Sequence, residues 1–251
     1  MDARGVLLVP DSFMTTTAED LESIVNDVLY APWDLRTGNT VPTVESVALR
    51  GGGVELQATV LYADLAQSSK LATEFDRRVA AKVVKVFLAC STRLIREQDG
   101  EITSFDGDRV MGIFVGKTKN TDAAICALKI NYAVTKIIKP KLSGYFQSVS
   151  NSGFTISHAT GVDTGTILAV RAGIRGANDL IWIGRAPNLA ARLSDLREDS
   201  FGSYIAEDVF KVMNDDAKYG GNPKQLMWEQ RSLQWLGEGI PIYRSSWIWR
   251  P

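Results

Sequence analysis

The chain reads as an α+β protein: one sheet with helices packed on it, in a single main domain that follows an N-terminal extension. The order of elements predicts this, running strand, helix, hairpin, helix, hairpin, strand, helix, so that helices alternate with antiparallel pairs. The two long helical stretches carry apolar residues at spacings of three and four. At 251 residues, 45% hydrophobic and 23% charged, the composition is that of an ordinary soluble globular protein with material for one sizeable core.

Residues 1–53 differ from the rest. Thr16-Thr-Ala-Glu19 matches a helix capping box, and Leu21, Ile24, Val25, Val28 and Leu29 follow at helical spacing. Pro32, Gly38 and Pro42 interrupt what comes next, and Gly51-Gly-Gly53 reads as a hinge. This extension is expected to pack on the main domain, residues 54–251, or on a partner. In the main domain a strand runs from near Val54 to Asp64, and a long helix from about Thr73 to Glu97 places Phe75, Val79, Val83, Val86, Phe87, Cys90 and Leu94 mostly on one face. Glu101–Ser104 and Arg109–Val115 form a hairpin around Phe105-Asp-Gly-Asp108. A second helix spans about Thr121–Lys139 and is stopped by Pro140. Phe154–Val162 and Thr166–Ala172 read as a strand pair with Gly161 and Gly165 at its turn, and Leu180–Ile183 as a short buried strand. Gly184-Arg-Ala-Pro-Asn188 turns into a helix with Pro187 in its first turn. Beyond Ser203 lie a short helix and aromatic-rich strands.

Composition excludes several functions. With 28 basic and 29 acidic residues the net charge is −1, so no global positive field advertises nucleic acid or an anionic membrane. Cys90 and Cys126 read as buried free thiols of a reducing, cytoplasmic setting. No apolar run approaches the roughly 20 residues of a membrane span; Val79–Leu88 comes nearest and is cut by Lys82 and Lys85. Met1-Asp-Ala-Arg lacks the charged-then-apolar order of a secretory signal. The single histidine, His158, rules out a multi-histidine metal site and reads as a packed or half-exposed strand residue.

Two aspartates carry most of the chemistry. Asp64 ends the apolar run Ala58-Thr-Val-Leu-Tyr-Ala-Asp64, and Asp108 follows the turn of the hairpin. A carboxylate at a strand end and another at a hairpin supply the hard anionic oxygens that a pair of divalent cations needs, and such pairs commonly serve phosphate chemistry. The alternative is two ordinary turn aspartates. Asn188-Leu-Ala-Ala-Arg192 then sets an amide and a guanidinium at i and i+4, on one helix face. An amide can bond a sugar oxygen, and a guanidinium can bridge phosphate oxygens with a planar fork. The alternative there is an amphipathic helix with two solvated polar residues.

With these residues in view, the chain resembles the class III nucleotidyl cyclases, the adenylyl/guanylyl cyclase homology domain. Leu61-Tyr-Ala-Asp64-Leu65 resembles that family's first metal motif and Phe105-Asp-Gly-Asp108-Arg-Val-Met-Gly-Ile-Phe114 its second; Ala159-Thr-Gly-Val-Asp-Thr-Gly165 resembles a recurring turn, and Ile183-Gly-Arg-Ala-Pro-Asn188-Leu-Ala-Ala-Arg192-Leu193 its Asn/Arg helix. The match runs from about 56 to 197 and continues weakly to about 245. It implies that Asp64 and Asp108, with the Leu65 carbonyl, hold two Mg2+ or Mn2+ ions. It also implies that backbone amides around Ala66, Gln67, Ser68 and Ser69 cradle phosphate, that Arg192 stabilises the transition state and that Asn188 orients the ribose. The aspartates and the Asn/Arg pair would face each other across a homodimer with two composite sites around a nucleoside triphosphate.

At the positions where purine cyclases of this family read the base, the chain carries Ser104 and Ile181. Neither purine pair is present, and Ile181 cannot hydrogen-bond a base edge through its side chain. The resemblance therefore points toward the stand-alone pyrimidine cyclases of bacterial anti-phage (Pycsar) signalling, which make cyclic UMP or cyclic CMP for a separate effector. UTP is favoured over CTP. An adenylate cyclase that reads adenine through other groups, and a nucleotide-binding regulator on a cyclase fold, are the other readings. The lysine that purine enzymes often place before a C-terminal glycine is Leu236 here; Arg109, Lys117, Arg185 and Arg231 are candidates to hold the triphosphate tail in its stead. Tyr62, two residues before Asp64 where many relatives carry Phe, reads as a core residue.

Overall fold

A computed structural model of the chain describes residues 15–198 and 200–251. The reading of Met1–Arg4 lies outside those residues, and so does the Thr16 side chain on which the capping box rests. The elements are α1 (Thr15–Leu29), β1 (Asp34–Gly38), β2 (Gly52–Leu65), α2 (Ser68–Glu74), α3 (Arg77–Glu97), β3 (Glu101–Asp106), β4 (Arg109–Phe114), α4 (Lys119–Tyr132), a π-helical segment (Ala133–Ile138), α5 (Lys139–Tyr145), α6 (Gln147–Asn151), β5 (His158–Ile174), β6 (Ala177–Ile183), α7 (Arg185–Ser194), β7 (Ser203–Ala206), α8 (Glu207–Val212), α9 (Asp215–Lys218), β8 (Tyr219–Gly220), β9 (Gln225–Leu226), β10 (Glu229–Trp235) and β11 (Glu238–Ser245). The expected α+β architecture is what forms. One sheet runs in the order β10-β11-β7-β5-β2-β4-β3, with β1 also on β2 and β6 also on β5.

β2 is the axis of the sheet. It pairs antiparallel with β4 on one edge and with β5, from Val54 to Leu65, on the other. Strand side chains alternate between faces. Leu61, Ala63 and Leu65 join a core with Val83, Phe87 and Ile95 of α3 and Ala124, Ala127 and Leu128 of α4. Val54, Leu56, Ala58 and Val60 join a second core with Ala186 and Ala190 of α7 and with Val47 of the N-terminal segment. Asp64 continues the second set, so its carboxylate faces the α7 side. None of the described helices is long and apolar enough to cross a membrane.

The structure departs from the sequence reading at five places. The helix expected over Thr73–Glu97 is two helices: Phe75 is extended, and the Asp76 side chain accepts from the Arg78 amide to start α3 afresh. Pro140 does not stop the next helix. The backbone passes into a π-helical turn and Pro140 falls in the first turn of α5, where its missing N–H has little to lose. Gly52 and Gly53 lie in the ladder with β1 and are no hinge; a Cβ on Gly52 would sit 2.8 Å from the Asp34 carbonyl oxygen, so close strand packing asks for glycine there.

The expected pair Phe154–Val162 and Thr166–Ala172 is one strand, β5, of 17 residues, and the chain reverses after it at Arg175-Gly176. Gly161 is there for packing, since a Cβ would come within 2.1 Å of the Ala190 carbonyl oxygen of α7. Leu180–Ile183 belongs to β6, bonded to β5 along one edge, with Ile181 47% and Ile183 52% exposed.

Gly161 thus sets the height of α7 above the sheet. Gly161→Ala is expected to lower unfolding stability by about 2 kcal/mol or more, whereas Gly165→Ala, with nothing near its added Cβ, stays within about 0.5 kcal/mol of wild type. Chemical denaturation of both variants checks this; equal effects would contradict the packing role.

Candidate functional site

Asp64 is 6% exposed at the end of β2, and two arginines hold it. Arg109, its cross-strand partner on β4, donates from Nε to Oδ1 at 3.2 Å. Arg197, beyond α7, donates from Nη2 to Oδ2. Arg109 also reaches Asp195 through Nη2 and lies 5.8 Å from the centre of the Tyr62 ring. Burial pushes the Asp64 carboxyl above its ordinary range, the arginines pull it back, and the Asp108 charge pushes it up again.

Asp108 is partly exposed in the two-residue Gly107-Asp108 turn between β3 and β4, where Gly107 takes a φ of +59°. The Ala66 amide donates to the Ser157 carbonyl at 2.9 Å, which fixes the phase of the β2–β5 ladder. Residues of β2 alternate in direction, so the Leu65 amide and carbonyl point away from β5, toward the β4 side that carries Asp108. The same bond corrects one expectation: the Ala66 amide is spent on the strand and cannot cradle phosphate. Gln67 caps α2 with φ +61°, and Ser68 and Ser69, as first-turn residues, have amides without intrahelical partners.

α7 buries Ala186, Pro187, Leu189, Ala190, Leu193 and Ser194. Asn188 and Arg192 fall on its outward face, both exposed, and the Asn188 Nδ2 donates to the Gly184 carbonyl at 3.1 Å. They share one face as the spacing predicts, but it is the face turned away from the strand that carries Asp64. Ser104 is partly buried on β3 opposite Met111, on the inner face. β6 turns Leu180 and Trp182 inward, packed on the second core, and Ile181 outward. Ile181 therefore does not share the inner face with Ser104 in this chain.

Of the four basic candidates, only Arg109 stands at Asp64. Arg185 pairs with Asp208 at 2.8 Å and with Asp163 at 3.6 Å, Arg231 pairs with Glu229, and Lys117 is exposed in the turn after β4. Arg197 and Asp195 were missed by sequence reasoning. They lie past the end of α7, in no motif, and only the fold brings them to β2. His158 is buried, and burial holds its imidazole neutral, pushed down to about 3, with Nε2 lacking a partner.

Asp64, Asp108 and the Leu65 carbonyl, the ligands that the resemblance implies, would offer a metal oxygen atoms only. Among the described residues no group of three or more His, Cys, Asp or Glu could hold a metal ion. Two carboxylates and a carbonyl are the donor chemistry that a hard cation such as Mg2+ or Mn2+ takes, its remaining ligands coming from phosphates and water.

Asp163 generates a pH prediction. It is fully buried beneath the start of α7, its carboxylate oxygens lack hydrogen-bond partners, and burial raises it to about 6 against the pull of Arg185. The native state thus binds this proton more tightly than the unfolded chain. The stabilisation is full below about pH 4 and is lost as pH rises to about 6. Asp163→Asn is expected to be more stable than wild type above pH 7 by roughly 1–3 kcal/mol and to flatten the fall between pH 4 and 6. Urea unfolding across pH checks both; a variant that keeps the wild-type slope would contradict the assignment.

No protein-family model matches the chain. It is 50% identical over 232 residues to a uridylate cyclase of Rhodovulum sp. (strain MB263), covering 92% of this chain and 96% of that relative. It is 39% identical to a uridylate cyclase of Xanthomonas perforans over 92% of this chain and 97% of that one. Among solved structures it matches the guanylyl cyclase Cya2 with a TM-score of 0.61 at 17% identity, over 79% of this chain and 96% of that one, a likeness of fold. The near-full-length identity to these relatives and the class III cyclase fold agree with the motifs at Asp64, Asp108 and Asn188–Arg192: the chain belongs to the uridylate cyclase family of class III nucleotidyl cyclases, which are phosphorus–oxygen lyases.

Proposed function

We propose that the chain converts UTP to 3′,5′-cyclic UMP and pyrophosphate as a homodimer with two composite sites. The observation that carries this is the split of the site: Asp64 lies at the end of β2 and Asp108 in the β3–β4 turn, while Asn188 and Arg192 face outward from α7, away from Asp64. A second copy would supply the missing half, and the names of the 50% and 39% identical relatives favour UTP as the substrate. In this reading the catalytic unit is residues 54–251, and residues 1–53 are an extension whose β1 adds to the sheet.

Asp64, Asp108 and the Leu65 carbonyl would hold Mn2+ or Mg2+, two per site. When bound, the cations supply Lewis acidity that eases loss of the ribose 3′ proton and counters phosphate charge. The Arg192 guanidinium grips the α-phosphoryl oxygens with its planar fork, where charge builds as the 3′ O–P bond forms and the bond to pyrophosphate breaks. The Asn188 amide bonds the ribose and aims the 3′ oxygen, and the amides of Gln67, Ser68 and Ser69 receive phosphate. Arg109 and Arg197 keep Asp64 ionised and oriented. Base selection falls to residues around Ser104 and Ile181 brought together by the partner. The enzyme works in the cytoplasm, and its product serves as a messenger in anti-phage defence that acts on a separate effector.

Purified protein incubated with each of the four NTPs and Mn2+ is expected to yield cyclic UMP as the dominant product by mass spectrometry; dominant cyclic AMP or cyclic CMP would contradict the substrate assignment. Asp64→Ala is expected to abolish turnover while circular dichroism stays native. Arg192→Ala should lower kcat on the order of 10²-fold, with KM much less affected.

A further inference from the structure

α1 is an amphipathic helix whose apolar face has no cover among the described residues. Leu21, Ile24, Val25, Val28 and Leu29 form one stripe at helical spacing and are between 44% and 71% exposed. Glu22 borders one edge of that stripe, Asp20 and Asp27 the other, and the helix carries no basic residue. Arg50 pairs with Asp27 and so holds the helix near the start of β2. A helix of 15 residues is marginal in water by itself and draws most of its stability from packing such a face.

A groove of about 480 Å3 lies between α3, the end of the π-helical segment and α5. Val86, Ile138, Leu142, Tyr145 and Phe146 give it an apolar lining, and Lys82, Lys85 and Lys141 add three cations. The Lys82 Nζ lies 5.2 Å from the centre of the Tyr145 ring and 5.8 Å from that of Phe146. No carboxylate lines the groove. Among the described residues the lysines in ion pairs are Lys70, Lys129 and Lys211, so the three groove lysines are free to meet an acidic partner. Helix and groove therefore match twice, apolar stripe to apolar lining and acidic edges to lysines.

We infer that α1 of one copy docks in this groove of a second copy. The groove of the same chain is out of reach. Asp34, the first residue of β1, pairs with Gly52. The five chain steps from Leu29 to Asp34 span at most about 18 Å, and Val25 lies about 6 Å further along the helix. The α5 wall of the groove adjoins Lys139, which shares a cleft with Ala66 and Gln67 at the opposite end of β2. β2 runs about 43 Å between those ends. Pairing of two α1 helices would set acidic edges against each other, whereas the groove offers lysines. In a two-fold pair each copy lends its α1 to the other, and the contact forms twice. No residue of the catalytic reading takes part, so this inference and that reading fail separately.

Full-length protein with Val25 replaced by photoreactive p-benzoylphenylalanine tests this. Illumination is expected to give a covalent dimer on a denaturing gel, with mass spectrometry placing the linkage at residues 82–86 or 138–146. Linkage to α1 of the other copy, linkage within one chain, or no linkage overturns the proposal. On the same background the pair Lys82→Glu and Lys85→Glu should lower the dimer yield several-fold. Lys224→Glu, which changes a lysine outside the groove, should leave it unchanged. Both variants alter exposed residues and should keep native circular dichroism. An equal yield from the charge-reversed pair overturns the complementarity that selects α1 as the occupant.

Discussion

A carboxylate removed from water at the end of a central strand must be answered by positive charge, and Asp64 is answered by two arginines from different parts of the chain. Arg109 comes from the neighbouring strand and Arg197 from the loop after α7. This one compensation ties together the hairpin that carries Asp108, the axis of the sheet, and the helix that carries Asn188 and Arg192. Removing either arginine would leave a buried charge half compensated at the point where the fold and the chemistry meet. A divalent cation placed there takes over part of a task the arginines already perform.

The second constraint is the height of α7 over the sheet. Gly161 lets the Ala190 backbone come close to β5, and the small residues Ala186 and Ala190 complete the contact. The buried face of α7 is therefore apolar and tight, and its polar residues have only the outward side to occupy. Asn188 and Arg192 are exposed for the same reason that Leu189 and Leu193 are buried. The composite site proposed for this chain draws on that outward face.

Much of this was legible in the residues. The strand ending at Asp64, the hairpin at Gly107-Asp108 and the shared face of Asn188 and Arg192 all rest on local signals: an apolar run, a turn glycine, a spacing of four. Local signals misled where long-range packing decides. Gly161 and Gly165 looked like a turn, yet Gly161 answers to α7 and β5 runs straight through. Pro140 looked like a stop, yet a π-helical turn accommodates it. The outward turn of Ile181 depends on which side of β6 meets the core, and Arg197 is a lone loop arginine until the fold brings it to β2. No spacing in the chain encodes those meetings.

The central claim is that Asp64 of one protomer works with Arg192 of another. Co-expression of Asp64→Ala with Arg192→Ala tests it most directly, with cyclic UMP formation measured for each variant alone and for the mixture. Composite sites predict near-inactive single variants and recovery of about a quarter of wild-type activity on mixing, because half the dimers are mixed and each carries one intact site. A mixture no more active than its parts would contradict the account.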